Sequence, residues 1–230
     1  MSERFEKEKF TFSKEQKRKF FIFYQLLVEK NKVMNLTGIT EFSEVVEKHF
    51  LDSLMLSRVF DLEKSVRVID VGTGAGFPGI PLKIAFPNLR ITLMDSLNKR
   101  ILFLQEVIDA LEFTEIEAVH ARAEELARKK EYREKFDLSV SRAVANLSTL
   151  EEYCLPFVKT GGQFISYKSG EIEEELSMSE NACKILGGKV KEVYKFDLGE
   201  QKRSFVVIDK CKNSPRAYPR KAGTPGRQPL

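Results

Sequence analysis

The sequence predicts an α/β fold: a doubly wound, mostly parallel seven-stranded sheet preceded by an N-terminal helical extension. Three observations carry that expectation. From residue 66 onward, short apolar runs alternate with segments of helical periodicity. The first run, "VRVIDVG", breaks into a glycine-rich turn, as a parallel strand does before its crossover helix. The alternation ends in "KVKEVYKFDL" and "RSFVVIDK", joined by the short link "GEQK", which reads as an antiparallel hairpin at the sheet edge. A chain of 230 residues, 42% hydrophobic, suffices for one α/β domain with an extension. The expected boundaries are 1–62 for the helical extension, 63–212 for the sheet domain and 213–230 for a basic, proline-rich tail.

Each element has a local reason. Ser13-x-x-Gln16 has the form of a capping box and opens an amphipathic helix that includes Phe20 to Val28. A second helix is expected from about Glu41 to Phe60, because Val45, Val46, His49, Phe50 and Leu54 recur at helical spacing. "VMNLTGIT" between them is a loop by composition. "VRVIDVG" is the first strand, and Pro78 and Pro81 follow its glycines, where a first helical turn tolerates proline. "RITLMD" is the second strand, ending at Asp95; Leu97, Ile101, Leu104, Ile108 and Leu111 then mark one helix face. "EIEAVH", "FDLSVSRAV" and "GGQFISYK" are strands three to five. Glu171 to Leu186 should be helical, with acids at its start to complement the helix dipole. The last eighteen residues hold four of the eight prolines and should be extended or irregular.

Bulk properties exclude several classes. Cys154, Cys183 and Cys211 are too few and too scattered for a disulfide framework or a paired-cysteine metal site, so no metal is expected and a reducing cytoplasm is. The charged start "MSERFEKEKF" lacks the apolar core of a signal peptide, and no apolar run is long enough to cross a bilayer. The net charge is only +4, but no acid follows Asp209, whereas Lys210, Lys212, Arg216, Arg220, Lys221 and Arg227 do. Such a tail is either a solvated segment or an arm that seeks phosphates.

The glycine turn admits two ligands. Gly74-x-Gly76-x-x-Gly79 matches a dinucleotide fingerprint literally. In the register set by the strand end, however, Gly72-x-Gly74 comes first and Phe77 occupies the third position. That offset favours an S-adenosylmethionine site, in which Gly72, Gly74 and Gly76 let the backbone approach the cofactor. Asp70 supplies a carboxylate for its cationic groups. Asp95, at the end of strand two, can accept ribose hydroxyls in either case and can equally cap the next helix. Ala123 and Glu124 follow strand three, where backbone groups can meet an adenine edge.

"DVGTGAGFPGIPL", "DSLNKRILFL", "HARAEE", "SRAVA", "MNLTGIT" with "KHFLDSL", and the tail "YPRKAGTPGRQP" together resemble the glucose-inhibited division protein B family. Its members are class I, Rossmann-like methyltransferases of 16S ribosomal RNA that act on guanine N7. The resemblance runs from about Asn31 to the C-terminus. It implies S-adenosyl-L-methionine as cofactor, with contacts at Gly72, Phe77, Ala123, Glu124 and Arg142. It implies as target a guanine near the decoding centre, in 16S RNA or the 30S subunit.

The chemistry agrees. Amine methylation calls for an (N/D)-P-P-(Y/F) motif after strand four, where this chain reads "SRAVAN". Pyrimidine C5 methylation needs a cysteine at a strand end, and Cys154 lies well down the next helix. Guanine N7 has an in-plane lone pair and no proton, so orientation and electrostatics supply the rate and no general base is expected. Arg142 is then the candidate catalytic residue, holding either the cofactor carboxylate or the guanine O6 edge. Asn35, His49 and Lys168 are candidate RNA contacts, with Arg216, Arg220, Lys221 and Arg227 of the tail on phosphates. His49, one turn from Asp52, is equally a core histidine. A monomer is expected. A nicotinamide oxidoreductase and a noncatalytic assembly factor are the rival readings of the same fold.

Overall fold

The structure is a computed structural model and describes residues 2–230. Its centre is one seven-stranded sheet in the order β3-β2-β1-β4-β5-β7-β6. The strands are β1 (Arg67–Val71), β2 (Arg90–Asp95), β3 (Ile116–His120), β4 (Phe136–Arg142), β5 (Val158–Ser169), β6 (Gly188–Leu198) and β7 (Gln201–Lys210). The first five pair in parallel, while β7 runs antiparallel to both β5 and β6. The hairpin is therefore present, and its second strand lies between β5 and β6. The strand order reverses at β1/β4, and the carboxyl ends of these strands meet beside that point, where open α/β sheets bind ligands.

Before the sheet come α1 (Ser2–Lys7) and α2 (Lys14–Met34). The capping box is formed: the Gln16 N–H donates to Ser13 Oγ at 3.1 Å and the Ser13 N–H to Gln16 Oε1 at 3.0 Å. The single helix expected over 41–60 is instead four short pieces. They are α3 (Phe42–Val45), a π-helical stretch Val46–Leu51, α4 (Asp52–Leu54) and a 3₁₀ turn Met55–Arg58. The wider π turn shifts the helical register just where His49 sits, and such turns concentrate at functional sites.

The extension shares the core of the sheet. Phe5, Phe20, Phe23 and Phe50 are buried with Val68, Ile80 and Leu93. A line of rings leads from α1 to the glycine turn: Phe5–Phe20 at 5.4 Å, Phe20–Phe50 at 5.2 Å, Phe50–Phe23 at 5.7 Å and Phe23–Phe77 at 5.4 Å between centroids. Truncating one such ring to alanine costs about 3–5 kcal/mol. Behind the turn, α5 (Gly79–Ala85) packs so closely on β2 that a Cβ at Gly79 would lie 2.2 Å from Leu93 Cδ2.

After β2 comes α6 (Asn98–Ala110), and on the other face lie α7 (Ala123–Leu126), α8 (Leu147–Cys154) and α9 (Glu173–Ile185). Within α8 the Glu151 carboxyl is buried without a hydrogen-bond partner among the described residues, and burial pushes it up to about 8. The acidic start of α9 is present as expected.

The tail is not a free arm. Ser214 receives the buried ammonium of Lys210, which also donates to Leu155 O at 2.7 Å. Arg133 then takes the carbonyls of Ser214 and Tyr218 at 2.8 and 2.9 Å, and Arg128 that of Pro219. Arg220 forks onto Glu152, a carboxylate of α8 that is fully buried. The chain ends in a short helix, α10 (Thr224–Arg227), with Pro225 buried. Irregular backbone was expected here; that it is fixed by side chains of the body is a correction, and its cause is the row of arginine donors and the Glu152 carboxylate.

Candidate cofactor site and the adjoining cavity

A cavity of about 610 Å³ opens at the carboxyl ends of β1, β2 and β4. Of the residues the sequence singled out for the cofactor, Gly72, Gly74, Phe77, Asp95, Ala123, Glu124 and Arg142 line it. Gly74 has φ +62° and a Cβ there would meet nothing within 4 Å, so this backbone faces open space and can approach a ligand. Its N–H donates to Asp95 Oδ2 at 3.0 Å, tying the turn to strand two. Asp95 also accepts from the Leu97 N–H at 2.9 Å and from Arg100 at 3.1 Å, so it ties the start of the next helix to the turn while standing in the cavity wall.

Two expectations need correction. Asp70 does not line the cavity. It is sealed beneath the turn, where its Oδ2 accepts from Thr73 Oγ1 at 2.7 Å and from the Gly79 N–H at 2.9 Å. Burial pushes its carboxyl up to about 6. Its work is to staple the turn to the first N–H of α5, because a carboxylate inside the strand end points at the helix N-terminus before it reaches a ligand. Gly76 likewise faces inward, where a Cβ would lie 2.6 Å from Ile80 Cγ1.

Arg142, the last residue of β4, is held from three sides. It donates to Asp52 Oδ2 at 2.8 Å, lies 5.0 Å above the Phe77 ring and approaches His49. Asp52, nearly fully buried, accepts from Arg203 at 3.1 Å through its other oxygen. His49 stacks on Phe77 at 4.5 Å. Burial, then the Arg142 charge, pushes it down to about 4, so it is neutral at pH 7. Its Nε2 faces Thr37 Oγ1 at 2.8 Å and its Nδ1 faces Lys48 O at 3.1 Å. Thr37 Oγ1 already accepts from the Ile39 N–H. The Lys48 carbonyl can only accept, so Nδ1 carries the proton and the Thr37 hydroxyl donates to Nε2. This histidine pins the "MNLTGIT" loop over the cavity.

A second cavity, also about 610 Å³, shares His49, Arg142, Ala143 and Ala145 with the first and extends to Asp52, Tyr167, Lys168 and Arg203. Lys168 lies in its wall, donating to Ala145 O at 3.0 Å and paired with Glu175. Asn35 does not reach either cavity; it is the exposed left-handed cap of α2, and its neighbour Thr37 takes the wall position. Among the tail cations, Arg216, Lys221 and Arg227 are exposed and line neither cavity. Arg220 is corrected from phosphate contact to structural ion pair, since Glu152 already occupies its guanidinium.

Sequence reasoning missed that the tail itself completes the first cavity. The Gly223 N–H donates to Glu124 Oε1 at 2.8 Å, Thr149 Oγ1 donates to Pro225 O at 3.1 Å, and Gly226 with Tyr153 stands in the wall. It also missed Arg203, which a β-hairpin brings to Asp52 from 151 residues away, with no local signal.

The family model of rRNA small subunit methyltransferase G matches residues 16–206. The chain belongs to that family. Ribosomal RNA small subunit methyltransferase G of Lachnoclostridium phytofermentans is 54% identical over 220 residues, covering 95% of this chain and 91% of the relative. Its counterpart in Brevibacillus brevis is 50% identical over 217 residues, 94% and 91% of the two chains. Solved structures share the fold. TrmN from Thermus thermophilus has a TM-score of 0.55 at 17% identity, over 72% of this chain and 53% of that one. A methyltransferase from Pyrococcus furiosus reaches 0.57 at 15% identity, over 85% and 98%. Family membership decides between the two readings of the glycine turn in favour of S-adenosylmethionine. No helix among the described residues is long and apolar enough to cross a membrane, and no group of metal-ligating side chains is found among them.

Proposed function

We propose that this chain transfers a methyl group from S-adenosyl-L-methionine to N7 of a guanine in the decoding-centre loop of 16S ribosomal RNA. The observation that carries the reading is the single cavity in which Gly72, Phe77, Ala123, Glu124 and Arg142 converge, in a chain of this family.

The cavity suits the cofactor. An open-faced Gly74, a strand-end Asp95 and the turn beside Ala123 offer backbone and carboxylate groups to an adenosine and an amino-acid moiety. When bound, S-adenosylmethionine supplies an electrophilic sulfonium methyl group. The protein's task is to orient and to exclude water. Phe77 and His49 present an apolar, uncharged wall, and Arg142 fixes a positive charge whose direction Asp52 determines. A neutral His49 has no proton to remove from N7, which carries none. Cys154 is fully buried and its thiol is held well above its usual range, so it takes no part as a nucleophile. The partner is 16S RNA, free or within the 30S subunit, met by a monomer in the cytoplasm.

The test is labelled-methyl transfer to 16S RNA and to 30S subunits from cells lacking the endogenous enzyme, followed by chemical cleavage at 7-methylguanosine. Label at one guanine N7 is expected. Incorporation at another atom would refute the N7 assignment, and no incorporation would point to an assembly factor that only keeps the fold.

A further inference from the structure

We propose that the second cavity receives the acceptor guanine, with Arg142 on the shared wall donating to its O6 and with Lys168 and Arg203 as the cationic side that holds the nucleotide's phosphate. The proposal rests on the reading of the chain as a ribosomal RNA methyltransferase and adds where the base goes.

Three observations carry it. First, an in-line displacement needs the acceptor atom opposite the departing sulfur, so the base must come from a space that adjoins the cofactor cavity. The second cavity does so through His49, Arg142, Ala143 and Ala145. A third cavity lies at the far end of the sheet, around the first residues of β1 and β2, and cannot. Secondly, the volume of about 610 Å³ falls within the span of about 300–1,000 Å³ typical of small-ligand sites. Thirdly, its wall carries four cations, Lys48, Arg142, Lys168 and Arg203; Lys48 and Lys168 are paired with Glu44 and Glu175, but Arg142 and Arg203 share the single carboxylate of Asp52, which leaves a net positive charge on the wall. That surplus suits a nucleotide phosphate.

The shared wall also selects the base. Guanine presents O6 next to N7 as an acceptor, whereas adenine presents an amino donor there. Arg142 is fixed between the Asp52 carboxylate and the Phe77 face, so its remaining N–H groups have one direction to offer. An arginine cannot accept from an amine, and adenine is rejected. Asp52 is a positioning residue that acts through Arg142.

Lys168 and Arg203 border the second cavity and not the first, which separates the two sites experimentally. Lys168→Gln and Arg203→Gln are each expected to raise KM for undermethylated 30S subunits about tenfold, the loss of one charge-assisted contact. The dissociation constant for S-adenosylhomocysteine, measured by calorimetry, should stay within about twofold of wild type, on the same scale where tenfold is one such contact. In a second arm, an RNA fragment carries 6-thioguanosine at the methylated position and is irradiated on the wild-type protein. Crosslinks are expected in the peptides around Arg142 and Tyr167. Unchanged KM values in both variants, crosslinks confined to the tail, or a loss of S-adenosylhomocysteine affinity in both variants would each overturn the proposal. Wild-type protein that methylates no RNA would remove the underlying reading, whereas normal methylation with crosslinks elsewhere would remove the proposal alone.

Discussion

On the proposed reading, Arg142 carries most of the chemistry. It borders both cavities, and its geometry is set by Asp52, which a second arginine also holds. Arg142→Ala leaves Asp52 still paired with Arg203, so the fold should survive. Methyl transfer should fall about 100-fold or more, as when one oriented electrostatic donor is lost. RNA binding, measured by filter retention, should change far less; equal losses in both would contradict the placement at the reacting atoms. The two buried titrating groups beside it give opposite pH effects. The folded-state value of His49 is depressed to about 4, from 6.5, so the stability it contributes is present above pH 6.5 and lost as pH falls towards 4. The value of Asp70 is raised to about 6, so its contribution is present at low pH and lost as pH rises from 4 through 6. Across that window the two oppose each other. His49→Gln removes one side of the balance. Relative to wild type, the variant should gain up to about 3 kcal/mol between pH 6.5 and pH 4 in chemical denaturation. Parallel pH profiles for the two proteins would show that His49 is not a buried neutral group.

At the scale of elements, the tail and the glycine turn are parts of one site. The tail is latched by Arg220 on buried Glu152 and delivers Gly223 to Glu124 and Gly226 to the cavity wall. Arg220→Ala strands a buried carboxylate, which costs about 3–5 kcal/mol, and loosens that wall. S-adenosylhomocysteine should bind more weakly to Arg220→Ala, and the Glu152→Gln partner should show the same loss; unchanged affinity in both would make the tail a passive strap. This coupling was illegible in the sequence, where the tail reads only as basic and proline-rich. Its partners Arg128, Arg133 and Glu152 stand 68 to 91 residues earlier on α8 or beside α7, and nothing local marks them. The succession of strands and the hairpin were legible because apolar runs and glycine turns are local signals. So was the capping box of α2. The π turn at Val46–Leu51 was not, since hydrophobic spacing of four and three accommodates one extra residue without losing its face. Of the glycine and cofactor positions read from the sequence, Gly72 and Gly74 line the cavity, where backbone conformation decides. The reading failed at Asp70 and Gly76, where the direction of a side chain or of a missing Cβ decides.

Over the whole molecule, the net charge of +4 understates how the cations are used. Six follow Asp209, but Lys210 is buried on Leu155 and Ser214, and Arg220 is spent on Glu152. Lys212, Arg216, Lys221 and Arg227 remain exposed, on a segment that the body holds in place. Exposed cations on a segment that the body holds in place can take up RNA phosphates without paying to order the tail again on binding, because folding has already fixed it. Each phosphate neutralised releases counterions, so the logarithm of the RNA association constant should fall linearly with the logarithm of salt concentration. Replacing Arg216, Lys221 and Arg227 together by alanine should lower that slope by about 2–3, since each contact contributes roughly 0.7–0.9. Replacing Arg220 should not lower the slope further, because its charge is already neutralised within the protein. Binding curves on 30S subunits between low and physiological salt measure both. If the triple variant keeps the wild-type slope, the exposed face of the tail does not touch RNA, and the electrostatic footprint must lie on the cations around the second cavity.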